Sequence, residues 1–403
     1  MTSIAGLAAK RMPVPVRRSA AFWVIAYVFA ATMLGTTLPT PLYVEYQSQF
    51  HFSPAIVTVI FAAYAAGVLV ALLLAGRSSD RVGRRPVLAV AVAFSTLSTV
   101  VFIVAAGVGW LYLGRVLSGF SAGLMTGTGT AALTDLAGGA ASRRASLVAT
   151  VVNMGGLGLG PLVAGLFAEY GPNPTVLVFE VYLGLLAIAA IGVAVMPETV
   201  SDRAGLSLKF GGLGIPRQGR SEFVAAGVAV FAAFSILGMF TALAPSFLAN
   251  VLHQRNHAVG GLVVFVIFAT ATATQARVVR LPIRPVVMVG ITVFVVGLAL
   301  IVASLSAASF ALFIVGAVVA GSAIGAVFIG SLSVANRLAP PERRGQVVST
   351  YFVFGYVGLI VPVIGVGVAS EHVGDFRAVL VCATVLAVLS LFSLDRIRRS
   401  SLR

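Results

Sequence analysis

Twelve stretches of this chain are each apolar over about 20 residues, the length an α-helix needs to cross the hydrocarbon of a bilayer. They cover approximately 20–43, 55–75, 86–106, 109–134, 146–168 and 175–196, then 222–244, 258–276, 285–305, 309–334, 346–368 and 376–394. Within hydrocarbon every backbone N–H and C=O must be paired inside the segment, so such stretches become helices. The basic residues fall between them. With the N-terminal end inside, 24 of the 27 lysines and arginines lie on that same side. They sit in the N-terminal segment, in every second connection and in the tail. Retention of positive charge in the cytoplasm therefore predicts both ends of the chain inside a cell (plasma or inner) membrane. The first stretch follows Lys10, Arg11, Arg17 and Arg18 and is too long for a signal-peptide core, so it reads as an uncleaved span.

Composition closes several other routes. Hydrophobic residues make up 59% of the chain and charged ones 10%, too little polar surface for a soluble fold of 403 residues. A net charge of +15 suits nucleic acid only when gathered on one folded face; here it is dispersed, and no nucleic-acid partner is expected. The one cysteine, Cys382, has no partner for an internal disulfide. No GKS or GKT phosphate loop occurs, so neither ATP hydrolysis nor a cofactor is expected. His51, His253, His257 and His372 fall on the outer connections and read as solvated loop residues without a metal.

The chain repeats itself at an offset near 200 residues. Ala141-Ser-Arg-Arg-Ala-Ser-Leu-Val-Ala-Thr150 aligns with Pro341-Glu-Arg-Arg-Gly-Gln-Val-Val-Ser-Thr350. Pro161 falls in register with Pro362, and Arg85-Pro86 with Arg284-Pro285. The expectation is an all-α membrane protein of twelve transmembrane helices in two six-helix, pseudo-symmetric halves. Residues 1–196 form the first half, 197–221 a Gly-containing cytoplasmic linker, and 222–403 the second half.

The connection between spans 2 and 3 reads Gly76-Arg-Ser-Ser-Asp-Arg-Val-Gly-Arg-Arg-Pro-Val-Leu88. Asp80 is its only acid among Arg77, Arg81, Arg84 and Arg85; Gly83 permits a tight turn and Pro86 suits the first turn of the next helix. The pattern resembles the G-x-x-x-D-R-x-G-R-R loop of the major facilitator superfamily. That resemblance implies secondary transport by alternating access. It further implies that Asp80 approaches the start of helix 11, near Gln346 to Ser349, and that Arg84 pairs with Asp135 at the inner end of helix 4. Together they would form a latch that holds the cytoplasmic ends shut.

Arg115 is the one basic residue well inside a span, about two turns from the outer end of helix 4. A buried arginine costs several kcal/mol in a bilayer, which marks it as a functional candidate. Its surroundings, Leu111-Tyr-Leu-Gly-Arg-Val-Leu-Ser-Gly-Phe-Ser-Ala-Gly123, resemble the superfamily's helix 4 motif, whose arginine is associated with proton coupling. Glu180, just inside the outer end of helix 6, is the one acid placed to lie within a span. It is the candidate for a titrating partner at a depth similar to that of Arg115. Glu45 at the outer end of helix 1 is the second choice. In helix 5, Gly156-Leu-Gly-Leu-Gly-Pro-Leu-Val-Ala-Gly165 predicts a bent, closely packed helix, with Gly160 and Pro161 at the bend and Pro362 as the counterpart in helix 11. It resembles the motif of the drug:proton antiporter branch, departing from it at Ala164. Tyr27, Thr37, Thr126, Asn153, Thr241 and Tyr351 lie on helices that line or flank the cavity in this superfamily.

The resulting expectation is a monomeric exporter of small organic or lipophilic compounds, driven by inward proton flow. A metabolite uniporter or symporter is the alternative within the class. A receptor or a membrane enzyme is the alternative outside it; no converging nucleophile, base or metal set supports an enzyme.

Overall fold

The computed structural model describes residues 18–75, 78–138, 142–200 and 212–399. The described chain is helical throughout. The helices are α1 Arg18–Thr37, α2 Tyr43–Phe50, α3 Pro54–Ala75, α4 Ser78–Val82, α5 Arg84–Ile103, α6 Val108–Ala137, α7 Ser142–Tyr170 and α8 Pro174–Val195. The second half comprises α9 Arg220–Asn250, α10 His257–Val278, α11 Ile283–Ser306, α12 Phe310–Leu338, α13 Arg344–Val373 and α14 Asp375–Arg399. Eleven of these are long and apolar enough to cross a membrane. The twelfth crossing is α6, 30 residues long, whose Arg115, Asp135 and Gly/Thr-rich middle lower its hydropathy. Helices of 29–31 residues such as α7, α9 and α13 span about 45 Å at 1.5 Å per residue, enough for the headgroup layers as well.

The first span is shorter than its apolar run. The stretch to 43 is unbroken by charge, yet α1 ends at Thr37 and a turn through Pro39 and Pro41 leads into the short α2. Neither proline has an N–H to continue the ladder, and Thr40 N–H bonds the Thr37 carbonyl at 3.1 Å instead. That break frees the Thr36 carbonyl.

The halves meet along two seams, α3 against α13 and α7 against α10. With no hydrophobic drive in lipid, close approach rests on small residues. In the first half, Gly119 and Gly123 of α6 lie directly on the backbone of α3, around Tyr64 and Val68. The glycines of α7 serve two neighbours: Gly156 and Gly160 sit on α1, while Gly158 and Gly165 sit on α10. Both α7 and α13 run as single helices through Pro161 and Pro362.

Polar contacts tie the halves together at the end remote from the arginine-rich loops. Glu371 of α13 accepts the Ala55 N–H of α3 at 3.0 Å, and Glu169 of α7 accepts the His257 N–H of α10 at 2.9 Å. The His257 ring lies 3.6 Å from the Glu45 carboxylate of α2. Gly367 packs on Thr58 along the same seam. His257 is thus a seam residue, not a solvated loop residue.

Candidate functional site

Arg115 has no solvent-exposed surface. Its guanidinium donates to the Tyr43 hydroxyl and to the Thr36 carbonyl freed by the α1 break, and lies 3.4 Å from Thr40 Oγ1. The rings of Tyr43, Phe61 and Tyr64 surround it, with centroids 5.3, 5.9 and 5.5 Å away. A helix C-terminus carries about half a negative charge on its unpaired carbonyls, and aromatic faces attract cations. The counter-charge of Arg115 is therefore the end of α1 together with a ring cage. Glu180 does not take this place: it is exposed on α8, on the face that carries Ile188 and Ile191. The expectation of a titrating partner there is not met, because helical phase turns Glu180 outward whatever its depth.

Between the halves lies a cavity of about 110 Å³. Of the expected lining residues, Thr37, Thr126, Asn153 and Thr241 border it, whereas Tyr27 and Tyr351 do not. Tyr27 spends its hydroxyl on the Leu185 carbonyl of α8 at 2.9 Å, and Tyr351 is buried with its hydroxyl 2.8 Å from Ser331 Oγ. The three threonines donate to carbonyls of the helices around them, at 2.7–2.8 Å, leaving only acceptor capacity toward the cavity. Asn153 is the lining side chain with a free amide. Seven of the other lining residues are aromatic, Phe61 and Tyr64 from one half and Phe234, Phe268, Phe328, Phe352 and Tyr356 from the other; aliphatic side chains and two methionines complete the wall. Phe234 stacks on Phe328 at 5.8 Å and meets Tyr356 edge-on at 6.0 Å. None of the lining residues is charged. This aromatic set was missed in the sequence, since phenylalanine in a span signals burial or lipid contact equally well. Phe61 and Tyr64 belong to both the cavity wall and the Arg115 cage.

At the arginine-rich end, Arg84 Nε donates to Asp135 Oδ2 at 3.0 Å and its Nη1 lies 2.5 Å from Asp80 Oδ1. A third carboxylate joins them. Glu198, just beyond α8, accepts the backbone N–H groups of Arg84 at 2.8 Å and Arg85 at 3.1 Å, capping α5. Gly83 has φ +112°, and any Cβ there would run into the Glu198 carboxylate. Gly76 lies outside the described residues, as do 201–211 of the linker. Among the described residues the polar partner of Asp80 is Arg84, and not a group at the start of α13, where the resemblance put it. That place is taken by the linker: the Gly214 N–H bonds the Gln346 carbonyl at 3.3 Å and Thr350 Oγ1 at 2.9 Å. The latch needs the arginine-rich ends brought together, and here the halves are joined at the opposite ends. Among the described residues, no three His, Cys, Asp or Glu side chains gather into a metal-binding group.

Comparison with known proteins agrees with this geometry. The model of the Major Facilitator Superfamily matches residues 23–361. The chain belongs to that superfamily of membrane transporters. A protein named "Putative multidrug resistance protein MdtD" from Salmonella newport is 23% identical over 181 residues, which are 45% of this chain and 38% of that protein. Its namesake from Escherichia fergusonii is 24% identical over 168 residues, 42% of this chain and 36% of that one. The matches thus span well under half the length of these relatives. Among solved structures, the nucleoside transporter NupG (D323A mutant) superposes with a TM-score of 0.72 at 13% identity, covering 94% of this chain and 99% of that one. A bacterial homologue of the human lysosomal transporter Spinster, inward-facing and occupied, gives 0.70 at 15% identity, covering 95% and 97%. These likenesses concern the fold.

Proposed function

We propose that this transporter exports small neutral or lipophilic compounds with flat, delocalised rings, in exchange for protons. The observation that carries the reading is the cavity wall: seven aromatic residues, one free amide and no charge. Aromatic pairs contribute about 0.5–1.5 kcal/mol each beyond area burial and tolerate many ring shapes. A phosphorylated or multiply charged substrate would have nothing to pair with there. The name of the MdtD relatives points the same way, over less than half of the chain. Phe61 and Tyr64 link cargo to Arg115, because a substrate that shifts these rings alters the cage. Arginine cannot release a proton at physiological pH, so the proton carrier is sought among the seam groups His257, Glu45, Glu169 and Glu371. The two halves, joined by 197–221, rock about the cavity, and in the present arrangement polar contacts hold them together at the end remote from the arginine-rich loops. The arginine-rich end, with both ends of the chain, faces the cytoplasm of a cell membrane, and the transporter works as a monomer.

The test is transport by purified protein in liposomes, loaded with a fluorescent aromatic dye and subjected to an imposed pH gradient. Proton-driven dye movement with matching proton release is expected. Dye movement indifferent to the gradient would favour uniport. Movement of a hydrophilic metabolite with none of the dye would overturn the substrate class.

A further inference from the structure

At the arginine-rich end of the second half, α10, α11 and α12 leave a second space, a groove of about 380 Å³ lined by residues such as Val278, Pro285, Val289, Val293 and Ala326. Val289, 61% exposed, stands on its rim with Leu281, 56% exposed. In an aqueous fold such an apolar trough would be a liability; in a bilayer it is shaped for an acyl chain. Its lining residues Val278, Leu281 and Pro282 belong to the α10–α11 corner, which also carries Arg277, Arg280 and Arg284. Arg277 donates to its own helix at Ala273 and Arg284 to the Arg398 carbonyl of α14, while Arg280 is exposed and makes no hydrogen bond among the described residues. Among the described residues, none of the three pairs with a carboxylate. The chain has no Asp or Glu between Glu222 and Glu342, and Asp395 on the neighbouring α14 is bonded to Arg399 at 2.9 Å. Retention of this corner in the cytoplasm explains the charge but not the groove beside it.

We propose that this corner is a binding site for one anionic phospholipid, with an acyl chain in the groove and the phosphate against Arg277 and Arg280. The occupant is set by the combination. Three uncompensated cations at headgroup level select a negative headgroup, and an uncharged trough open to lipid selects a chain, whereas a soluble anion would use the arginines alone. The inference is independent of what the cavity transports.

Native mass spectrometry of the full chain, released from nanodiscs of mixed phosphatidylglycerol and phosphatidylcholine, tests it. One tightly held phosphatidylglycerol is expected. The double variant Arg277→Gln/Arg280→Gln should weaken its retention by about thirtyfold, from roughly fivefold per arginine. Val289→Trp, which fills the trough from an exposed position, should displace the same lipid with every arginine in place. Loss in the charge variant but not in Val289→Trp would reduce the effect to surface electrostatics and overturn the site. Equal retention of phosphatidylcholine, or no change in either variant, would overturn it as well. A phosphatidylglycerol bearing a photoreactive acyl chain gives an independent reading: cross-links must map to α10–α12, and cross-links elsewhere refute the assignment.

Discussion

Arg115 is the residue on which the transport reading turns, and its surroundings define what a substitution removes. Alanine would leave the Thr36 carbonyl and the Tyr43 and Thr40 hydroxyls without their donor in a site with no solvent access. Lysine keeps the charge but cannot fork between Tyr43 and Thr36. Arg115→Ala and Arg115→Lys are therefore both expected to cut dye transport by at least about tenfold, from loss of roughly 1.5–3 kcal/mol of charged hydrogen bonding. Transport assays run beside detergent thermal melts check this; near-normal transport in both variants would reduce the arginine to an anchor. The presence of a buried arginine at this depth was legible in the sequence, because a charge inside an apolar span is conspicuous. Its partners were not. The carbonyl it caps is exposed only by the break at Pro39 and Pro41, which the apolar run to Tyr43 conceals. Glu180 was misread since composition reports depth along a helix but not the face.

Among the elements, the corner from α4 to α6 shows how three carboxylates and one arginine fix a loop. Glu198 spends its oxygens on the first N–H groups of α5, and Gly83 is the residue that lets it reach them. Gly83→Ala is expected to lower stability by about 1–3 kcal/mol through a strained φ and a displaced carboxylate. Gly138, at φ +72° and with open space around its Cα among the described residues, is the control, and Gly138→Ala should cost only the backbone share, about 1 kcal/mol. Thermal unfolding of the two variants separates the terms, and equal losses would show that Glu198 adjusts freely. The sequence carried Gly83, Arg84 and Asp135 plainly, since glycine and paired charge stand out in a loop. Glu198 was absorbed into the linker because it lies 115 positions from Gly83 and carries no local pattern. His257, Glu169 and Glu371 were obscured in the same way: each sits at a helix end, where solvated polar residues are the norm.

For the whole molecule, the seam from Ala55 to Glu371 and from Glu169 to His257 is the part that must open if the cavity is to face the other side. Cysteines at Ala55 and Glu371, in a Cys382→Ala background and bridged by a short bis-methanethiosulfonate reagent, should hold the present arrangement. Transport should then fall to background and return on reduction. Retained transport in the cross-linked protein would mean the halves do not part along this seam. Rocking of the first half also carries Arg115 with it. Among the described residues the guanidinium has hydroxyls, a carbonyl and rings for company but no carboxylate, so its charge, offset only in part by the end of α1, travels with α6. A charge that crosses a membrane entirely at about 100 mV exchanges roughly 2.3 kcal/mol with the field. A fifth of that path is worth about 0.5 kcal/mol, or about a twofold shift between arrangements. The membrane potential therefore acts on this transporter even when its cargo is neutral, drawing the arginine toward the negative side, and Arg115→Gln would sever that electrical handle.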